Sequence, residues 1–98
     1  MKRLNQQEID QGLKTLSGWK AVGVGTTTEH IEKELKFPDF VSALAFVNRL
    51  GDVAEKMGHH PDLFLGWGRV KITLSTHDAG GVTEKDFALA RHAEGLLK

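Results

Sequence analysis

Residues 62–78 read DLFLGWGRVKITLSTHD, and this stretch decides the fold because it predicts a β-hairpin. Residues 62–66 are the first predicted strand, and Trp67-Gly68 supplies the turn, where Trp67 is expected to be a packing residue. The second strand begins at residue 69 and alternates cleanly between apolar and polar side chains. Its apolar set is Val70, Ile72 and Leu74, and its polar set is Arg69, Lys71, Thr73, Ser75 and His77. The hairpin favours an antiparallel sheet with one face packed and one face partly open.

A long amphipathic helix precedes the hairpin. Apolar residues recur at spacings of three and four over residues 39–57, which predicts a helix with one apolar stripe. The stripe residues are Phe40, Leu44, Val47, Gly51 and Ala54, widened by Val41, Leu50, Val53 and Met57. Asp39 can cap the N-terminus of this helix, and Gly58 lies where a left-handed C-terminal cap belongs.

Two capping boxes mark the starts of the other helices. Asn5 is followed three residues later by Glu8, and Thr83 is followed three residues later by Asp86. The helices predicted from these starts span residues 5–16 and 84–97. The apolar stripe of the second of these helices is Phe87, Ala90, Ala93 and Leu97.

Two further strands are predicted near the N-terminus. Residues 29–37 alternate in polarity, with Lys33 as an exception on the apolar side, and residues 19–24 read as the partner strand. The element order is then α-β-β-α-β-β-α. The simplest architecture is an α+β fold in a single domain over residues 1–98, with a four-stranded antiparallel sheet and helices packed on one face.

Composition narrows the class of protein. Lys plus Arg equals Asp plus Glu at 13 each, so the chain has no net positive charge to bind a phosphate backbone, and no nucleic-acid partner is expected. No signal-peptide core and no membrane-length apolar run is present, which predicts a soluble cytoplasmic protein. The chain has 98 residues and no cysteine, so self-association is a plausible source of extra stability.

Histidines are concentrated at two predicted element ends. His59 and His60 follow the long helix, and His77 ends a predicted strand. If the hairpin strands pair, both groups meet at one end of the sheet. Because histidine exchanges protons near neutral pH, with an unperturbed pKa of about 6.5, such a cluster can supply both an acid and a base. Glu55, Asp78 or Asp86 could fix tautomers or accept hydrogen bonds from a substrate.

Other interpretations of these residues stay open at this point. The three histidines could be solvated turn residues, and Asp86 has a structural role as a capping-box acid whatever else it does. A metal site is disfavoured because adjacent side chains on an extended chain diverge. His30 and His92 are expected to be ordinary surface residues.

The separated motifs together resemble the pterin-4a-carbinolamine dehydratase family. The resemblance rests on AEKMGHHPD at residues 54–62, on an aromatic residue in the hairpin, and on ITLSTHDAGGVTEKDFALA at residues 72–90. The matching residues, in order and spacing, are Glu55, Lys56, His59, His60, Pro61, Trp67, Thr76, His77 and Asp86. Gly58 departs from the pattern, since relatives often carry an acidic residue there.

The resemblance implies an activity and an assembly. It implies dehydration of 4a-hydroxytetrahydropterin to quinonoid dihydropterin in tetrahydrobiopterin recycling, with an aromatic amino acid hydroxylase as a possible pathway partner. It also implies homodimers that extend the sheet, or homotetramers formed through helices. The alternatives are a non-catalytic oligomeric adaptor, similar to a transcriptional dimerisation cofactor, and a pterin-binding protein linked to molybdenum-cofactor metabolism.

Site roles follow from the resemblance and from the chemistry of the side chains. We expect His59 and His77 to be the acid–base pair, with no cofactor and no metal, and His60 with Glu55 to hold the pterin ring. The catalytic set is therefore His59, His60 and His77. The substrate-binding set is Glu55, Pro61, Ser75, Thr76, Asp78 and Asp86.

Overall fold

The computed structural model describes residues 2–97, and its element order is the predicted one. The helices are α1 (Gln6–Lys14), α2 (Phe40–Met57) and α3 (Glu84–Leu96). The strands are β1 (Lys20–Val22), β2 (His30–Lys36), β3 (Asp62–Gly66) and β4 (Arg69–Leu74). A short 3₁₀ turn, His77–Ala79, follows β4. None of the described helices is long and apolar enough to cross a membrane.

The four strands form one antiparallel sheet in the order β1-β2-β4-β3. The predicted hairpin is confirmed, because Gly66 pairs with Arg69 across the two-residue turn. Strands β2 and β4 lie in the centre and β1 and β3 at the edges. The helices pack on one face of this sheet, so the α+β prediction is also confirmed.

The hydrophobic core lies between the helices and the inner face of the sheet. Val70, Ile72 and Leu74 of β4 are almost completely buried there, against residues such as Phe46 and Phe87 of the helices. Burying a side chain of this size is worth about 1.5–3 kcal/mol. A register slip of one residue would expose all three strand residues, so the core fixes the register and leaves the polar residues of β4 on the open face.

Both predicted capping boxes are present. The Asn5 side chain accepts from the Glu8 backbone while the Glu8 carboxylate accepts from the Asn5 backbone, and Thr83 and Asp86 do the same at α3. Gly58 ends α2 in the left-handed conformation, with φ of 66°. These local signals therefore predicted the helix ends to within about two residues.

Three packing expectations are wrong. The buried line of α2 is Ala43, Phe46, Leu50 and Ala54, whereas Phe40 and Leu44 are 41% and 38% exposed. Apolar residues cover more than one face in the first turns of α2, and only the packing selects the buried face. Trp67 projects from the hairpin turn and is 75% exposed rather than packed. Leu97 is 40% exposed although the periodicity places it on the stripe of α3.

The exception in the alternation of β2 has a structural explanation. Lys33 lies on the helix-facing side of the sheet, and its Nζ donates to Glu94 Oε2 at 2.7 Å. The indole Nε1 of Trp19 donates to the same oxygen at 3.0 Å. The half-buried charge of Lys33 is therefore paired, which makes a lysine tolerable at this apolar position.

Candidate active site

The end of α2 and the segment after β4 enclose a cavity of about 240 Å³. Its walls are Gly58, His59, His60, Ser75, Thr76, His77, Asp78 and Lys85. The expectation that the two histidine groups meet at one end of the sheet is thus confirmed. Lys85 was not predicted, and only its position just inside the start of α3 could have suggested it.

The C-terminal cap of α2 places the histidine pair. Because Gly58 is left-handed, the chain reverses there, and the His59 backbone N–H donates back to Ala54 O at 3.2 Å. This capping geometry turns His59 inward, where it is only 9% exposed. The His60 side chain lies outside and is 60% exposed. His59 and His60 are adjacent in the sequence, but His59 is buried and His60 is exposed to solvent.

A buried carboxylate orients His59. The Nε2 of His59 donates to Asp86 Oδ1 at 2.5 Å, and Asp86 is completely buried. The second oxygen of Asp86 accepts from Thr76 Oγ1 and from the Thr83 backbone N–H, both at 2.9 Å. Because Nε2 carries the donated proton, the other ring nitrogen, Nδ1, is left for the cavity, and it has no hydrogen-bond partner among residues 2–97.

The structure does not place Asp86, which was predicted to bind the substrate, in the wall of the cavity. Its carboxylate is fully buried behind His59 and is not part of the cavity lining. It acts as a capping-box acid and as the hydrogen-bond acceptor for the His59 ring at the same time. Asp86 therefore positions a site residue rather than contacting a substrate.

His60 and Glu55 form an exposed pair at the rim. His60 Nε2 donates to Glu55 Oε1 at 2.5 Å, and the Glu55 side chain is 78% exposed. Neither Glu55 nor Pro61 belongs to the cavity wall, so their predicted contact with a substrate would have to form at the entrance. Because both side chains are exposed to solvent, this contact adds little stability.

His77, like His60, is exposed to solvent. Strand β4 ends at Leu74 rather than extending to residue 77, because Thr76 instead forms an isolated bridge with Gly81. The chain then turns, and the Gly80 N–H donates to the His77 carbonyl at 3.0 Å. The ring of His77 makes no hydrogen bond within the described part of the chain, so it is free to bind a ligand.

A second cavity of about 240 Å³ lies beside the first, on the open face of the sheet. Its walls are Thr27, Thr28, Glu29, His30, Asp62, Thr73, Ser75, His77 and Gly80. His30, treated above as a surface residue, is half-buried there, and its ring nitrogens face the Thr28 carbonyl and the Glu32 carboxylate at 2.7 and 2.8 Å. The hydrogen bond from His30 is the main cause of a lowered pKa at Glu32.

Glu29 lies at the base of the second cavity and accepts several hydrogen bonds there. Its carboxylate accepts from Arg3, from the Val82 N–H at 2.8 Å and from the Gly25 N–H at 2.9 Å, while its carbonyl accepts from Ser75 Oγ at 2.8 Å. The hydrogen bond from Arg3, followed by the backbone donors, lowers the pKa of Glu29 from 4.5 to about 2 despite its burial. No pattern in the sequence predicted that Glu29 would accept these hydrogen bonds.

We expect Glu29→Gln to destabilise the fold by about 3 kcal/mol at pH 7, since a pKa lowered from 4.5 to about 2 corresponds to that free energy. The unfolded chain binds the proton more readily, so this contribution is complete above pH 4.5 and is lost as the pH falls towards 2. Urea unfolding at pH 7 and near pH 3 measures the difference.

Glu34→Gln is the matched control for that substitution, because Glu34 lies in β2, the strand that Glu29 directly precedes, and its side chain is 44% exposed. It should change the free energy of unfolding by less than about 0.5 kcal/mol. A deficit of Glu29→Gln that is equal at both pH values would show that the charge of Glu29 is not the stabilising feature.

The comparison with known proteins identifies the family. A family model described as "Pterin 4 alpha carbinolamine dehydratase" matches residues 2–96. The chain belongs to this family. The sequence resemblance is thereby confirmed, and it extends over nearly the whole chain.

Relatives in the family are similar over their full length. A protein from Thermosynechococcus vestitus, provisionally named pterin-4-alpha-carbinolamine dehydratase, is 48% identical over 94 residues, which cover 96% of this chain and 94% of the relative. A protein of the same provisional name from Acidobacterium capsulatum is 44% identical over 97 residues, covering 99% of this chain and all of the relative.

Solved structures show the same fold. A protein from Brucella melitensis, described as a transcriptional coactivator/pterin dehydratase, superposes with a TM-score of 0.91 at 37% identity and covers 99% of this chain and 100% of its own. A pterin dehydratase-like protein described as a RuBisCO assembly factor in the alpha-carboxysome superposes with a TM-score of 0.67 at 25% identity, covering 81% of this chain and 88% of its own. Similar folds in this group therefore carry descriptions of more than one role.

Proposed function

We propose that this protein is a dehydratase that converts 4a-hydroxytetrahydropterin to quinonoid dihydropterin and water. The observation that carries the proposal is the cavity in which His59, His60 and His77 meet, with one ring oriented by a buried carboxylate. A turn on the protein surface has no structural need for that arrangement. Membership in the dehydratase family supports the same reaction.

The reaction needs two proton transfers. The carbon–oxygen bond at C4a breaks, and the oxygen leaves as water after receiving a proton. The neighbouring ring nitrogen loses its proton, and its electron pair forms the new carbon–nitrogen double bond. No electrons are exchanged with any other molecule, so positioned acid and base groups are sufficient for the chemistry.

The geometry favours His59 as the base. Its Nε2 donates to Asp86, so Nδ1 presents a lone pair that can accept the proton from the ring nitrogen. The imidazolium formed in this step gains a charge-assisted hydrogen bond to Asp86. His77, whose ring has no protein partner within residues 2–97, then protonates the leaving hydroxyl.

The remaining predicted residues orient the pterin. His60, held by Glu55, lies at the cavity rim together with Asp78, and Ser75 and Thr76 form part of the inner wall. Pro61 directs the chain into β3 and so fixes the position of this rim. Because a pterin carries several N–H donors, carboxylates such as Glu55 and Asp78 are suitable acceptors.

Stopped-flow absorbance with freshly generated 4a-hydroxytetrahydropterin tests the proposal. The protein should accelerate the loss of water well above the spontaneous rate, and a chelator should leave the acceleration unchanged. Absence of acceleration would remove the enzymatic proposal. Activity that disappears with the chelator would instead indicate a metal site.

An oligomeric binding role is the second candidate. Phe40, Val41 and Leu44 form an exposed apolar surface at the start of α2, with Val41 74% exposed, and strand β3 leaves one sheet edge unpaired within the protomer. Exposed apolar surface of this kind is typical of association sites. We propose homodimers or homotetramers, and such an assembly is compatible with the dehydratase as well as with an adaptor.

In the cell, the dehydratase would serve tetrahydrobiopterin recycling after an aromatic amino acid hydroxylase.

A further inference from the structure

We propose that Glu29 is a positioning residue for His77. Paired with Arg3, it holds the base of the loop of residues 76–81 (the histidine loop), and so it sets where the His77 ring meets the substrate. This role rests on the proposed dehydratase function, because it concerns the proton transfer assigned to His77. It gives the buried Glu29 carboxylate a part in the reaction as well as in stability.

The histidine loop is closed at its base and open at its tip. Thr76 and Gly81 exchange backbone hydrogen bonds at 2.9 and 3.3 Å, and residues 77–80 turn between them. His77 and Asp78 are exposed, and neither side chain has a hydrogen-bond partner within residues 2–97. The position of the His77 ring therefore depends on how the base of the loop is held.

Glu29 binds both arms of this base. Its carbonyl accepts from Ser75 Oγ on the entering arm at 2.8 Å, and its carboxylate accepts from the Val82 N–H on the leaving arm at 2.8 Å. Arg3 donates to both carboxylate oxygens, at 3.1 and 2.9 Å, and such a bidentate contact fixes the orientation of a carboxylate. The Leu4 N–H adds a bond to the Val82 carbonyl at 2.8 Å. Displacement of Glu29 would thus loosen both ends of the histidine loop.

Two buried carboxylates divide the support of the site. The Val82 and Thr83 N–H groups are consecutive, yet they donate to different acceptors, Glu29 at 2.8 Å and Asp86 at 2.9 Å. Asp86 orients the His59 ring directly, whereas Glu29 holds the backbone that carries the other member of the acid–base pair. Fully satisfied buried polar networks of this kind make their surroundings rigid.

The histidine loop passes directly over the Arg3–Glu29 pair at Gly81. A Cβ atom at Gly81 would collide with the Glu29 carboxylate and the Arg3 guanidinium, so glycine permits this close approach. Gly81 does not have a positive φ, and its backbone conformation is therefore open to alanine. Gly81→Ala would push the loop and the carboxylate apart while leaving every charge in place.

Two substitutions that displace the loop in different ways test this role. Glu29→Gln offers one acceptor oxygen where the carboxylate offers two, and Gly81→Ala separates the loop from an intact carboxylate. We expect kcat of the folded protein to fall by about 10–100-fold in each variant, because misplacing a reacting group by about 1 Å costs up to about 10² in rate. KM should change by less than about threefold. Stopped-flow absorbance below the unfolding transition of each variant gives both constants.

Glu34→Gln and Gly51→Ala are the matched controls. Glu34 is an exposed carboxylate of β2, and a Cβ atom at Gly51 of α2 would meet nothing within 4 Å. Both variants should keep the wild-type kcat. Wild-type kcat in Glu29→Gln and Gly81→Ala as well would overturn the positioning role, and so would a loss confined to KM.

A double-mutant cycle shows whether Glu29 acts through His77. In a His77→Ala background, Glu29→Gln should change kcat by less than about twofold, because the group that it positions is absent. A purely structural role would lower the free energy of unfolding in both backgrounds and leave kcat of the folded fraction unchanged. Equal factors of lost kcat in the two backgrounds would show that Glu29 acts independently of His77 and would refute the assignment.

Backbone relaxation of ¹⁵N-labelled protein provides a readout that needs no substrate. The order parameters of the His77 and Asp78 amides should fall from about 0.85 to below about 0.6 in Glu29→Gln and Gly81→Ala, and they should stay at the wild-type value in Glu34→Gln. Unchanged order parameters and unchanged His77 ring shifts would overturn the positioning role even if activity were lost. A wild-type protein that dehydrates no pterin, with the order parameters changed as expected, would overturn the proposed function and still support Glu29 as the anchor of the histidine loop.

Discussion

Replacing both His59 and His77 by alanine is expected to reduce the dehydration rate to near the spontaneous value. Each positioned acid or base typically contributes about 10²–10⁴ to a rate. The two groups act on opposite sides of one bond rearrangement, so their joint loss removes both proton transfers. Stopped-flow measurement of kcat for the double variant and for each single variant gives the size of each contribution.

A structural effect must be separated from a chemical one in this experiment. His59 is 9% exposed and is a donor to the buried Asp86 carboxylate, so alanine at this position also removes a hydrogen bond. His59→Gln offers an amide donor to Asp86 but no titratable group, and it should be as inactive as alanine while losing less stability. His92→Ala, on an exposed part of α3, should retain full activity. Full activity in the His59/His77 double variant would refute the acid–base assignment.

Replacing Asp86 by asparagine is expected to have the second largest effect, on both stability and rate. The carboxylate is 0% exposed and accepts from His59, Thr76 and Thr83, and the amide offers only one acceptor atom to these donors. We expect a loss of about 2–4 kcal/mol in the free energy of unfolding, which lowers Tm by roughly 10–20 °C in a domain of this size.

The same substitution should change the chemistry of His59. An asparagine amide can donate to Nε2, which would leave the proton on Nδ1 and remove the lone pair from the cavity. At temperatures below the unfolding transition of the variant, we therefore expect kcat to be about 10²–10⁴ lower than in the wild-type protein, with a smaller change in KM. A purely structural role of Asp86 would leave kcat of the folded fraction unchanged.

Glu8→Gln is the matched control for Asp86→Asn. Glu8 is the corresponding capping-box acid of α1, but its hydrogen bonds are solvent-exposed. Glutamine is also accepted at this position, so the cost should stay below about 0.5 kcal/mol. An equal cost at the two positions would show that capping alone explains Asp86, and that the buried contact with His59 adds nothing.

Much of the fold could be predicted from the sequence because its signals are local. The Asn5–Glu8 and Thr83–Asp86 pairs each lie within one helical turn, and the Gly58 cap depends on the conformation of a single residue. Alternation along β4 likewise requires only neighbouring residues. The gathering of His59, His60 and His77 also followed, because a hairpin with a known turn fixes which ends of its strands lie together.

Contacts between distant parts of the chain could not be predicted in this way. His59 meets Asp86 across 27 positions, and Glu29 meets Val82 across 53. No local pattern encodes such pairs, since they depend on how the helices pack on the sheet and on where the loops cross. The same limit explains why His30 read as a surface residue and why the first turns of the α2 stripe were assigned to Phe40 and Leu44 rather than to Ala43 and Phe46.

The sequence by itself determined the elements, their order, the antiparallel sheet, the histidine cluster and the family resemblance. Only the tertiary structure decided the working parts of the site: Asp86 lies behind His59 rather than in the pocket, His60 faces solvent, and a second polar cavity opens beside His77. The physical reason is that helix capping and the spacing of apolar residues depend on near neighbours in the chain. Burial and the pairing of charges depend instead on residues that only the folded chain brings together.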